Sequence, residues 1–249
     1  MQTFCKLKTR HYIEATAIFL SLCFAIKARA QSDKVGGWYI ANLNYRFNQK
    51  FGLYGEVQTR SQKLADDFFY YELKTGFTYY LRQKNSLFFG LGNYKTYTYP
   101  GNYEKPVTAN EFRMWEQLVL NNNINRIKIE HRYRIEQRWI SGDYSNRFRY
   151  RLNPVVPLNH KTIVPKTVYI SVNDEVFFTD KAPYFLRNRF FAGSGYQFSK
   201  LFTLQIGFMR QFDYHISDGG TGKNFIQTSL MFNVDKTASH QDRVPSNMD

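Results

Sequence analysis

The chain has 249 residues and a formal charge of +14, with 23 Phe and 19 Tyr but only two cysteines. Both cysteines, Cys5 and Cys23, lie near the start, so the rest of the chain has no disulfide framework and no thiolate metal site, and its stability must come from a sizeable closed fold. A basic balance suits an anionic partner, but no zinc-finger spacing, Walker loop or recognition-helix pattern accompanies it, which argues against nucleic acid.

Lys6, Lys8 and Arg10 precede the apolar run ATAIFLSLCFAI (15–26), and Ala28-Arg29-Ala30 follows as a small-x-small cleavage pattern. Residues 1–30 therefore read as a secretory signal peptide, with the mature chain starting near Gln31 and carrying a net charge of +10. A membrane anchor is one alternative, but the apolar run is short for a span. Lipidation at Cys23 is another, weakened by Leu22 where a small residue is usual.

From there the chain reads as one alternating segment after another, and no helical window is comparably strong. The segments are 37–48, 51–60, 68–81, 86–98, 110–121, 126–140, 147–156, 166–178, 185–198, 201–214 and 223–234. The sixth, RIKIEHRYRIEQRWI (126–140), shows the pattern best. A period of two separates its charged residues from its largely apolar ones, as in a β-strand. These segments form a single all-β domain over 31–234, followed by a polar tail at 235–249.

One face of the segments is fatty, as in Phe69, Tyr71, Leu73, Phe77, Tyr79 and Leu81, or Phe202, Leu204, Ile206, Phe208 and Phe212. The other is polar. It carries Glu56 and Arg60 in the second segment, Glu72 and Lys74 in the third, and Glu111 and Arg113 in the fifth. The sixth adds Lys128, Glu130, Arg132, Arg134, Glu136 and Arg138, the seventh Arg147, Arg149 and Arg151, the eighth Glu175, and the ninth Arg187 and Arg189. Aromatic residues gather at segment ends: Tyr45 and Phe47, Tyr79 and Tyr80, Tyr97 and Tyr99, Trp139, Tyr196 and Phe198, Phe212 and Tyr214. Dyad segments of about ten residues with terminal aromatics are the pattern of a transmembrane β-barrel, in which only a closed sheet satisfies every backbone amide.

NQK, RQKN, NNNIN and SK read as tight turns, while SQKLADD, YPGNYEKPVTA, SGDYSN, TDKAPY and HISDGGTGK read as longer loops. Short turns belong in the periplasm and long loops outside. Eleven segments would make an odd barrel, whereas single-chain bacterial barrels are usually even. The expectation is therefore an antiparallel up-and-down barrel of 12 strands, with 10 next. If NNNIN closes a hairpin, facing residues of its two strands have numbers that sum to 249. Arg113 is then placed beside Glu136 and Glu111 beside Arg138. The same arithmetic across SGDYSN places Glu136 beside Arg149 and Arg134 beside Arg151.

EFRMWEQ (111–117) followed by RYRIEQR (132–138) is similar to the motif pair of an uncharacterised exported family, domain of unknown function 2490. The resemblance extends through GGWYIANLNYRFNQKFGLYGEVQTRSQ (36–62), SLFFGLGNY (86–94) and NRFFAGSGYQFS (188–199). It implies an outer-membrane-type barrel and says little about activity.

Catalytic chemistry has little support. After the leader the histidines are His131, His160, His215 and His240, and the best nucleophile grouping is His215 with Ser217 and Asp213. Asp66-Asp67 and Asp213 with Asp218 offer at most weak calcium loops. Glu130 and Glu136 lie among arginines, which favours structural ion pairs over general-acid work.

The resulting expectation is a non-enzymatic outer-membrane β-barrel, a narrow or occluded channel or a scaffold, with a basic charged lumen and no cofactor or metal. Its partners would be outer-membrane lipid, the barrel-assembly machinery and small anions. Alternative readings are a barrel enzyme acting on envelope lipids and a soluble periplasmic β-barrel that binds an apolar ligand.

Overall fold

A computed structural model describes residues 35–217 and 219–237. The leader and most of the C-terminal tail lie outside the described residues. Alternation at period two produces strands throughout: β1 (Gly36–Arg46), β2 (Phe51–Lys63), β3 (Asp66–Tyr80), β4 (Ser86–Tyr97), β5 (Val107–Ile124), β6 (Ile127–Ile140), β7 (Asp143–Pro157), β8 (Thr167–Thr179), β9 (Phe185–Gln197), β10 (Phe202–Asp213) and β11 (Thr221–Asp235).

Each strand pairs antiparallel with its sequence neighbours, and β1 closes the barrel against β11. The count is 11, not the expected 12. Every segment of the sequence is a strand, so an up-and-down chain starts and finishes running the same way. The closing pair is consequently parallel, in continuous register from Gly36 opposite Phe225 to Arg46 opposite Asp235. A parallel seam still pairs the backbone groups of both edges, so closure does not require an even count.

Two expected registers shift by two residues. Arg113 faces Arg138, and Trp115 faces Glu136. Across the next hairpin Glu136 faces Arg147, and Arg134 faces Arg149. The cause is the turns, which are tighter than their polar composition suggested. NNNIN stays in β5 as far as Ile124, and Asn125 takes a positive φ of 53° in a two-residue turn with Arg126. SGDYSN narrows to Ser141-Gly142, with φ 50° and 102°, both in the region a tight hairpin demands. A shift of two preserves the face of every side chain, so the pattern could fix the face without fixing the pairing.

The expected division of loops by length also changes. At one end the 64–65 and 141–142 connections have two residues, while 98–106, 180–184 and 214–220 are open loops. The opposite end carries the short turns but also the nine-residue 158–166 connection. At the open-loop end, Asn146 donates to Asp180 from its backbone at 3.1 Å and its side chain at 2.8 Å. These hydrogen bonds hold the Asp180 carboxyl below its usual range.

The distribution of polarity is inverted relative to a water-soluble barrel. Leu73, Phe77, Ile135 and Ile206 point outward with 40–52% of their surface exposed, whereas Glu72, Arg132, Arg134 and Arg149 face inward at 5% or less. Ile129 and Leu204 share the outward face. Aromatic rings ring both ends. Tyr45, Phe47, Phe51 and Phe77 meet ring to ring in series near the short turns, as do Tyr196, Phe198, Phe202 and Phe232. Phe112, Trp139 and Tyr144 do so near the open loops, together with Phe178, Phe185 and Tyr214.

Some positions depart from the expected face. A bulge between Arg60 and Ser61 sends both Phe69 and Tyr70 inward, and Tyr80 faces inward too, under the Arg46 guanidinium at 4.4 Å. On the outer face Glu116 accepts from Gln137 at 3.1 Å and Asp174 from Asn188 at 2.8 Å. These lateral hydrogen bonds satisfy polar groups that stand among apolar neighbours.

Candidate functional site in the barrel interior

Every residue expected in the charge network lies on the inward face. Of the eighteen, all but Lys128, Arg138 and Arg187 are buried. Strand alternation places them there, and a closed sheet aims facing walls at each other.

Glu136 is the centre of the larger network, with none of its surface exposed. It accepts from Arg147 Nε at 2.6 Å, Arg149 Nη1 at 2.6 Å and Arg134 Nη1 at 3.3 Å. Arg149 reaches on to Glu175 with Nε at 2.9 Å and Nη2 at 3.0 Å, the fork geometry that suits a carboxylate. Arg132 meets the same Glu175 at 2.6 Å. Towards the short turns, Arg151 and Lys128 hold Glu130 at 2.7 and 3.7 Å. The expected Glu136–Arg149 contact is therefore present as a diagonal pair. Arg113 does not pair with Glu136. It binds Glu111 through Nε at 2.5 Å and Nη2 at 2.7 Å, and Arg138 joins that carboxylate at 2.5 Å, the expected partner for it.

A second network occupies β2 and β3. Lys74 bridges Glu56 and Glu72 at 2.7 Å each, Tyr54 donates to Glu56, and Tyr70 donates to Glu72. Tyr94 on β4 stands between this network and the Glu111 group, because Arg113 stacks on its ring at 3.6 Å and Lys74 lies 5.9 Å from it.

Alternation puts Tyr54 on the polar face with Glu56, but sequence reasoning missed the rest of the apolar interior. Trp38, Ile40, Phe191, Met209 and Phe225 form one buried cluster, and Tyr54, Phe88 and Trp115 another. Trp38 and Ile40 alternate with Tyr39 and Ala41, so neither face of that stretch reads as polar and its phase is illegible. Glycines offered a usable signal. A Cβ on Gly90 would sit 2.2 Å from the Trp115 ring, and one on Gly195 would sit 2.1 Å from Tyr169. A bare backbone on one strand makes room for a large ring from the next, and the rings thereby fill the lumen.

Filling is not uniform. In the half nearer the open loops remains a cavity of about 440 Å³, lined by nine Arg and Lys side chains against the carboxylates of Glu72, Glu111 and Asp213. Beyond it the interior is closed by side chains with almost no exposed surface, among them Trp115, Arg134, Glu136, Phe191 and Met231.

The other sequence candidates stand at the rim or on the outer face. Asp213 accepts from Arg187 Nε and from Gln211 Nε2, while His215 and Ser217 are exposed in the loop beyond it. His131 faces outward with Nδ1 2.9 Å from Tyr150 Oη. Asp66 and Asp67 share Lys63 at 3.1 and 2.8 Å. Among the described residues no group of three His, Cys, Asp or Glu could hold a metal ion.

The family model for a protein of unknown function (DUF2490) matches residues 35–221. No curated protein and no solved structure matches the chain.

Proposed function

The chain belongs to the DUF2490 family of proteins of unknown function, and from that premise we propose a non-enzymatic outer-membrane β-barrel whose basic lumen is occluded by its own side chains. It serves as a scaffold or as a narrow conduit that prefers anions. The observation that carries this reading is the inverted polarity: rows of Leu, Ile, Val and Phe outside, ion pairs inside. A soluble carrier of an apolar ligand would turn its apolar rows inward instead. From Phe202 to Phe212 the outer face of β10 spans ten residue-to-residue steps. At a rise of roughly 3.3 Å and a tilt of about 40° this gives about 25 Å, the height of an outer-membrane apolar band.

An odd strand count has a topological consequence. The β1 start and the β11 end lie at opposite ends of the barrel, so in a membrane-spanning barrel residues 35 and 237 would face opposite sides.

Occlusion follows from size. A barrel of eleven strands is only modestly wider than an eight-stranded one filled by side chains, and the twelve Arg and Lys and six Glu of the expected network are directed into this one together with Arg46, Lys223 and Asp213. In planar bilayers the purified protein is expected to conduct little, with residual current favouring anions. A large, steady, cation-selective pore would overturn the reading.

A further inference from the structure

The basic cavity holds more positive charge than its carboxylates answer, and the excess is concentrated on one wall. Arg189, Gln211 and Lys223 stand opposite one another in one row across β9, β10 and β11. Arg189 is buried and donates from Nε to Gln211 Oε1 at 3.0 Å, and no carboxylate pairs with it among the described residues. Across the indole of Trp38, the Arg60 guanidinium lies 3.6 Å and the Arg189 guanidinium 4.8 Å from the ring. Arg60 is also buried. Its Nε has no hydrogen-bond partner among the described residues, and the Glu72 carboxylate is 3.9 Å from Nη2. Arg60 repels Arg187, Arg189 and Lys223, while the single Asp213 is engaged by Arg187.

Like charges buried together around a cavity are costly unless an anion joins them. We propose that this cavity binds a dianionic phosphate group, held by Arg60, Arg189 and Lys223 over the Trp38 ring. Buried arginine forks favour an oxyanion with several acceptor oxygens over chloride. The size of the cavity admits a phosphate or pyrophosphate with part of its carrier. The site depends on the barrel and its interior, not on the membrane reading.

The phosphate could be free in solution or part of a lipid headgroup reaching over the rim, and the test separates these sources. Pyrophosphate is titrated into the full-length protein in neutral detergent at constant ionic strength, by calorimetry and by tryptophan fluorescence. Saturable binding is expected, with heat and a fluorescence change that titrate together. Arg189→Gln and Arg60→Gln should each weaken binding roughly tenfold or more, the loss of one charge-assisted hydrogen bond, with Arg189→Lys in between. In micelles doped with phosphatidic acid, undiminished pyrophosphate binding assigns a free phosphate ester, and competition assigns a headgroup. Retained heat-modifiable gel mobility verifies that each variant is folded. Absence of saturable binding by wild type, or equal affinity in a folded Arg189→Gln variant, would overturn the proposal.

Discussion

Glu136→Ala is expected to destabilise the barrel by about 3–5 kcal/mol, the usual cost of leaving buried partners of an ion pair uncompensated. Three arginines donate to this one fully buried carboxylate, and Arg149 also reaches Glu175. The loss should appear in a urea titration of the folded fraction, followed by heat-modifiable gel mobility. Adding Arg147→Met should restore part of it, because the methionine removes an orphaned charge and keeps an apolar stem over Phe177. If Glu136→Ala costs less than about 1 kcal/mol, the pair behaves as an exposed one and water reaches the centre of the lumen.

The second large effect lies on the outer face. Ile135→Arg and Ile206→Arg should each cost about 2–4 kcal/mol when the protein is folded into lipid vesicles, whereas Tyr144→Arg, in the aromatic belt, should cost no more than about 1 kcal/mol. Both isoleucines have close to half of their surface exposed, at 45% and 47%. Arginine at such positions would be harmless in water, so a depth-dependent penalty separates a lipid-facing surface from a wet one. Equal tolerance at all three positions would contradict the lipid-facing assignment.

These two effects rest on the part of the molecule that was legible in the sequence. Alternation fixed the face of Glu136 and Ile135 alike, because a period of two survives any even shift of register. It could not fix the partner. Arg113 differs from Arg138 and Glu136 only by where a turn is placed, and polar Asn121 to Asn123 look like turn residues although the strand continues through them. All eleven strands were visible as segments. The expectation of 12 came from the usual parity of such barrels, not from any residue, and the parallel β1–β11 seam has no local signature because it joins segments far apart in the chain. Phe69 was assigned outward because a bulge changes the phase of alternation without a sequence mark of its own. In the interior, isolated charges on a polar face announced themselves. Trp38, Trp115 and Phe191 did not, since an inward aromatic and an outward one are the same letter. Lys223 and Asp213 fell at strand ends, where alternation merges with loop composition.

The central claim is that this inverted barrel resides in a membrane, and the most direct measurement is the fractionation of cell envelopes with an alkaline carbonate wash. The protein is expected to stay in the membrane pellet, to be released only by detergent, and to migrate faster on a gel when unheated than when boiled. Recovery of folded protein in the soluble fraction without detergent would contradict the account.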